Sequence, residues 1–268
     1  MRKFTYLIFF LFLLTALTYF AANRPIAVQA IVSAKGRPAS GGKEDIYKDI
    51  LSKYTRPPER IGEKIVYNIR LGKVYLGKAI FNHLAKVELG GKLVSRMTFE
   101  TRLARFTDLE IIYSDSNSFL PLKVERDIST WPISEKIIEH YDQKNFTLTV
   151  IKKKGRKKEE LVIRKDGPIH NAIMLPFYIR RLPAGQAGMA NLDVGWSMLA
   201  NLPNQRFEIK LTALEELKVP AGTFKAYRFE SVPRRFEIWL SADERKIPLK
   251  IKGSGAFGYT FVMKEYSL

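Results

Sequence analysis

The chain has 268 residues, a formal net charge of +18 and no cysteine. The lack of cysteine excludes disulfide staples, thiolate chemistry and a lipid-modified cysteine anchor, so the fold has to rest on burial alone. The basic balance draws the chain toward anionic partners.

Met1-Arg2-Lys3 is a basic start, and no charged residue occurs from Phe4 to Ala22. That is the layout of an export signal, and the run approaches the roughly 20 apolar residues that span a bilayer. Two readings stand: residues 1–30 as a cleaved signal, with cleavage after Ala22 or Ala30, or residues 4–22 as an uncleaved anchor. Both place the remainder in the periplasm or on the outer face of the inner membrane, by the positive-inside rule. In that setting the expected partners are anionic lipid head groups, lipopolysaccharide phosphates and acidic polymers, not nucleic acid.

Residues 31–60 read as a tether. Lys35–Gly42 is rich in small residues and breakers, and Arg56-Pro57-Pro58 closes it. Between them Ile46, Tyr47, Ile50, Leu51 and Tyr54 share one face of a short amphipathic helix.

From Ile61 the apolar period changes to two. Strands are predicted at Lys64–Arg70, Lys73–Leu89, Lys92–Arg102, Leu109–Ser114, Phe119–Asp127, Glu135–Tyr141, Phe146–Ile151 and Glu160–Arg164, with Leu71-Gly72, Gly90-Gly91 and Asp108 as breaks. Lys152–Lys158 forms a hairpin tip with six positive charges: Lys152, Lys153, Lys154, Arg156, Lys157 and Lys158. A helix is predicted over Ile169–Arg181, starting at Pro168 and ending on Arg180-Arg181, with Pro176 as a break or kink inside it. Residues 183–191 read as an inserted loop of small residues.

Strands resume at Arg206–Leu217, Phe224–Val232, Arg235–Ser241, Ile247–Gly253 and Tyr259–Tyr266. Val219-Pro220-Ala221-Gly222 and Asp243-Glu244-Arg245-Lys246 carry explicit turn chemistry. The expected fold is therefore mainly β: one domain over residues 61–268, an antiparallel meander curled into a barrel, half barrel or two-layer sheet, with one late helix.

Several of these segments also form a family pattern. Gly62-Glu63-Lys64-Ile65-Val66-Tyr67 with Gly77-Lys78-Ala79, then Val219–Ala226, then Ile238-Trp239-Leu240-Ser241 with Asp243, Arg245, Pro248 and Lys250, resembles the domain of unknown function 3108 family of exported bacterial proteins. The resemblance covers about residues 61–266 and implies a β-rich envelope protein without implying an activity. Pro183–Asn191 departs from the pattern, as an insertion would.

Motifs for catalysis are scarce. The three histidines, His83, His140 and His170, fall in predicted strands or at the helix start, and His140-Tyr141-Asp142 offers only two alternating ligands where zinc takes three or four. Ser40-Gly41-Gly42-Lys43 matches Ser-x-x-Lys but lies in the tether without its partner motifs. Glu159-Glu160, Glu215-Glu216 and Asp243-Glu244 sit beside lysines or at turns, as solvated charges do. No catalytic residue, metal or cofactor is assigned.

Trp131, Trp196 and Trp239 are expected either to fill the core of the curled sheet or to line a ligand cavity. The Lys152–Lys158 tip is either a solvated hairpin end or an electrostatic contact with an anionic surface. The leading expectation is a non-catalytic envelope protein that binds an apolar or amphipathic ligand, or an envelope partner. A carboxylate-dependent hydrolase of an envelope polymer and a structural module offering a sheet edge are the alternatives.

Overall fold

Short turns cut the chain into strands too long to hide one face against anything but each other. The computed structural model describes residues 59–130, 132–181, 197–253 and 258–268. In its first half, β1 (Lys64–Leu71), β2 (Val74–Leu89), β3 (Lys92–Leu103) and β4 (Phe106–Ser114) follow one another, then β5 (Pro121–Thr130), β6 (Ile133–Asp142), β7 (Thr147–Lys154) and β8 (Lys157–Arg164). A five-residue helix, α1 (Leu175–Ile179), precedes β9 (Ser197–Asn201), β10 (Arg206–Val219) and β11 (Gly222–Val232), and then β12 (Phe236–Ser241), β13 (Pro248–Gly253) and β14 (Thr260–Ser267). Gly90 and Gly91 both take positive φ in the two-residue turn that joins β2 to β3, the requirement of the tightest hairpins.

All pairings are antiparallel, in one 14-stranded sheet of order β8-β7-β6-β5-β4-β3-β2-β1-β14-β13-β12-β11-β10-β9. The two halves each meander outward from the central β1–β14 pair, which leaves β8 and β9 as the edges. The sheet curls without closing. Segment 165–171 links its two ends: the His170 amide donates to the Asn201 carbonyl at 2.7 Å, and Asn201 Nδ2 donates to the Gly167 carbonyl at 3.0 Å. Gln143, between β6 and β7, holds the same segment by donating to the Ile169 carbonyl and accepting from the Ile169 amide.

The core lies on the inner face of the curl. Ile65, Tyr67 and Ile69 of β1, Phe81 of β2 and Phe229 of β11 are buried there, with every residue of α1 packed against them. Phe177 stacks on Phe81 with ring centroids 4.0 Å apart. Aromatic burial of this kind is the main favourable contribution to folding.

Three expectations change. The helix is Leu175–Ile179, not Ile169–Arg181. Pro176 cannot continue an upstream helix because it lacks an N–H and its ring clashes with the preceding turn, so it sits in the first turn of a short one. Upstream, Asn171 Oδ1 instead accepts from the amides of Ile173 and Met174. Asp108 does not break a strand: it is buried within β4, where Arg126 across the sheet neutralises it. The strand β9 was not expected at all, since its five residues carry no long alternation. The signal or anchor, the tether as far as residue 58, the 183–191 loop, Trp131 and Trp196 lie outside the described residues.

Gly77 marks the tightest approach between neighbouring strands. A Cβ there meets the Arg102 carbonyl oxygen at 2.1 Å, against backbone that cannot yield. Gly77→Ala is expected to destabilise the fold by about 3 kcal/mol, as overpacking does at the upper end; an unchanged urea midpoint contradicts that packing.

Candidate functional site

At one end of the curl five elements converge on a pocket of about 60 Å³. They are the start of β1 with Glu63, His83 of β2, Phe119 in the β4–β5 connection, α1 with the two arginines that follow it, and the β12–β13 turn. An apolar run, Ile173 to Ile179, is drawn into the core and takes Arg180 and Arg181 with it. Arg180 meets Glu63 in a forked contact, with both terminal nitrogens 3.0–3.1 Å from the carboxylate oxygens, and the two side chains are 9 % and 1 % exposed.

Arg181 lies over the Phe119 ring, 4.0 Å from its centroid, and donates to the Asn117 carbonyl at 3.0 Å. Burial is the largest influence on its pKa; Glu59 opposes it and Arg180 adds to it, and the net result lowers the guanidinium to about 10. Lys246, in the turn, is also lowered, first by burial and then by Arg180 and Arg60.

His83 stands edge-on to Phe119, only 4 % exposed, and its Nε2 has no hydrogen-bond partner among the described residues. Burial pulls its pKa down to about 4; Glu59 resists this, while Arg180, Arg181 and Lys86 reinforce it. The imidazole is therefore neutral at physiological pH.

A second polar group occupies the inner face of β4–β6. The register sets Glu110 opposite Arg126, and Asp108 two residues before Glu110 on the same face. Arg126 Nε donates to Asp108 Oδ1 at 2.8 Å and lies 3.6 Å from Glu110. Glu139, on the next strand, accepts from the Tyr141 hydroxyl at 2.5 Å. Arg126 is what assembles these carboxylates, an arrangement that neutralises charge. Among the described residues no group of three or more His, Asp or Glu has the arrangement to hold a metal ion. His140 and Asp142 line a wide surface hollow, where Asp142 Oδ1 accepts from the amides of Lys144 and Asn145 and caps the turn before β7.

The basic hairpin is more strand than tip. Only Gly155 and Arg156 form the turn, while Lys152, Lys153 and Lys154 belong to β7 and Lys157 and Lys158 to β8. Register then sets Lys136, Lys153 and Lys158 directly opposite one another across three strands, and Lys154 opposite Lys157. Trp239 is buried on the face it shares with Arg228 and Lys250; its Nε1 donates to Glu215 at 2.6 Å, and Lys250 Nζ lies 4.3 Å from its ring centroid.

Glu63, Arg180 and Arg181 were not singled out as site residues from sequence, and His83 was read as a strand residue. The signal was present in Arg180-Arg181, two cations directly after an apolar run whose burial has to carry them inside.

The model of the family described as "Protein of unknown function (DUF3108)" matches residues 66–264. Among curated proteins none matches the sequence. A β-barrel-like protein of the DUF1849 domain of unknown function from Brucella abortus is 8 % identical, with a TM-score of 0.47, over 78 % of this chain and 99 % of its own. A protein with a YmcC-like fold from Bacteroides fragilis, described as a candidate exported protein, is 10 % identical, with a TM-score of 0.34, over 80 % of this chain and 100 % of its own.

Glu110 supplies a test of the inner-face cluster. Burial, above all, raises its pKa to about 7; Arg126 opposes this, and Asp108 and Glu139 add to it. A carboxyl raised above its unfolded value stabilises the fold at low pH and loses that contribution as pH climbs from about 4.5 through 7, about 3 kcal/mol in all. Glu110→Gln removes the titration. The difference in unfolding free energy between Glu110→Gln and wild type should therefore move in the variant's favour by about 2.5 kcal/mol between pH 5 and pH 8. Equal differences at the two pH values contradict the assignment.

Proposed function

We propose, for a chain that belongs to the DUF3108 family of proteins of unknown function, that it is an exported, non-catalytic cell-envelope protein that docks on anionic envelope material through its β7–β8 hairpin. The charge-free run Phe4–Ala22 behind Arg2-Lys3 supports export. A non-catalytic role is supported by the buried carboxylates Glu63, Asp108 and Glu237, each of which is neutralised by arginine.

The observation that carries the docking is the lysine ladder. Like charges directly opposite on neighbouring strands destabilise a sheet. Lys136–Lys153–Lys158 and Lys154–Lys157 thus cost the fold, and their exposed contacts, Lys136 to Asp127 at 3.6 Å and Lys158 to Glu160 at 4.0 Å, return little. A polyanion laid against the hairpin relieves that repulsion and gains about 1 kcal/mol per cation near a charged membrane surface.

An enclosed apolar ligand is less well supported, because α1 and its aromatic neighbours fill the curl at the end where the pocket lies. The pocket left there measures about 60 Å³, well short of the roughly 300–1,000 Å³ typical of small-molecule sites.

Replacing Lys153, Lys154, Lys157 and Lys158 by Thr should raise the unfolding free energy slightly, by about 1 kcal/mol, through loss of the opposed pairs. The same variant should bind vesicles rich in anionic lipid more than tenfold more weakly at low salt, given about 1 kcal/mol per charge. Wild-type binding should itself fade above about 0.1 M salt, where the screening length drops to about 10 Å. Equal vesicle binding by variant and wild type overturns the proposal.

A further inference from the structure

Because every pairing is antiparallel, the β1–β2, β3–β4, β5–β6 and β7–β8 connections leave the sheet at one end of its strands, and β2–β3, β4–β5 and β6–β7 leave it at the other. From the residues at the first of these ends we infer that it lies on an anionic lipid bilayer, with Val74, Tyr75 and Ile133 entering the bilayer and the neighbouring cations held at the head groups. The inference deepens the docking reading above, on which its electrostatic half rests: it names a bilayer as the anionic material and adds apolar insertion to the hairpin's charge.

Charge separates the two ends. Residues 71–75, 103–106, 130–133 and 154–157 carry Lys73, Arg105, Lys154, Arg156 and Lys157, all exposed, and no Asp or Glu. The connections at the other end, residues 89–92, 114–121 and 142–147, set Lys92 and Lys144 against Asp115 and Asp142. An unopposed row of cations suits the negative surface of a membrane, whose attraction adds up charge by charge.

Apolar side chains stand among those cations. Val74 is 57 % exposed, Tyr75 58 % and Ile133 50 %. Hairpin ends ordinarily carry Gly, Asn, Asp and Ser, so a valine, a tyrosine and an isoleucine held in water there call for a cover. Exposed apolar residues occur at the other end too, Ile61 and Leu93 among them, but acids balance the bases there. Cations interleaved with apolar and tyrosine side chains are the composition of surfaces that rest at the boundary between head groups and acyl chains.

Register places these residues in one row. Gly77 lies opposite Leu103, Leu103 opposite Phe106, Phe106 opposite Thr130 and Thr130 opposite Ile133. Val74 and Tyr75 lie beyond Gly77, where the pairing of β2 with β3 stops, so the β1–β2 hairpin projects past its neighbour. At about 4.8 Å per strand, the row from the β1–β2 turn to the β7–β8 turn is about 30 Å long.

The chain has no cysteine, so a single introduced one carries a polarity-sensitive dye at a chosen place. Full-length Tyr75→Cys, Ile133→Cys, Arg156→Cys and, from the other end, Lys144→Cys are labelled and mixed with phosphatidylglycerol vesicles whose acyl chains bear bromine as a quencher. The dyes at 75 and 133 should shift to the blue and be quenched, the dye at 156 should shift without quenching, and the dye at 144 should not respond. Polyglutamate, an anion without an apolar interior, should move only the dye at 156. The triple variant Val74→Ser, Tyr75→Ser, Ile133→Ser with the dye at 156 should need about tenfold more lipid for half-saturation, since it loses apolar burial. Its polyglutamate binding should be unchanged. If the dye at 156 responds but those at 75 and 133 are not quenched, or the triple variant needs no more lipid, the insertion is overturned and the hairpin docking stands. A dye at 156 that responds to neither vesicles nor polyglutamate overturns the docking as well. Equal quenching at 144 and 75 means adsorption without orientation and overturns the inference. Each dye is read in its own protein, so a variant that fails to fold leaves the others to decide.

Discussion

The contact between Glu63 and Arg180 is the constraint around which the rest of the molecule is arranged. The two residues are 117 positions apart, one just ahead of the central strand and the other at the end of the only helix among the described residues. Burying either charge alone costs several kcal/mol, so neither can take its place unless the other does. The pair therefore fixes where α1 sits: in the end of the curl, with Phe177 against Phe81. That placement shapes the pocket, sets Arg181 over Phe119, and leaves His83 buried, which above all keeps it neutral.

The same device recurs elsewhere with different partners. On the inner face Arg126 holds Asp108 and Glu110 together. On the face of β12 that carries Trp239, Glu237 accepts from Arg228 at 2.7 Å, Arg234 at 2.9 Å and Lys252 at 3.3 Å. Burial pushes the Glu237 carboxyl up, but these hydrogen bonds outweigh it and hold the pKa near 2. Without cysteine, the sheet is cross-tied by ionic pairs laid across its strands. The β7–β8 hairpin breaks this habit, for there cations face cations.

Most of the sheet was legible because turn chemistry is local. Gly90-Gly91 and Val219–Gly222 announce their hairpins within four residues, and Gly222 takes the positive φ such a position needs. What was not legible depends on partners distant in sequence. Asp108 looks like a strand breaker until Arg126 is seen opposite its neighbour, and the number of residues in the β4–β5 connection decides that register. The lysines of β7 and β8 read as a loop tip because a run of six cations resembles a solvated end, whereas a two-residue turn zips them into strands. The pocket was hidden for the same reason: His83, Phe119 and Arg181 come from three separate segments, and their meeting follows from where the Glu63–Arg180 pair anchors the helix.

The decisive measurement is a double-mutant cycle on that pair, read by urea unfolding and by hydrogen exchange at the α1 amides. Arg180→Met alone leaves Glu63 buried and unpaired and should cost about 3–5 kcal/mol, with loss of protection at the Phe177 and Tyr178 amides. Adding Glu63→Gln should recover most of the loss, because the cost lies in the orphaned charge. If Arg180→Met costs less than about 1 kcal/mol, or the double variant is no more stable than the single one, the pair does not anchor the helix as described.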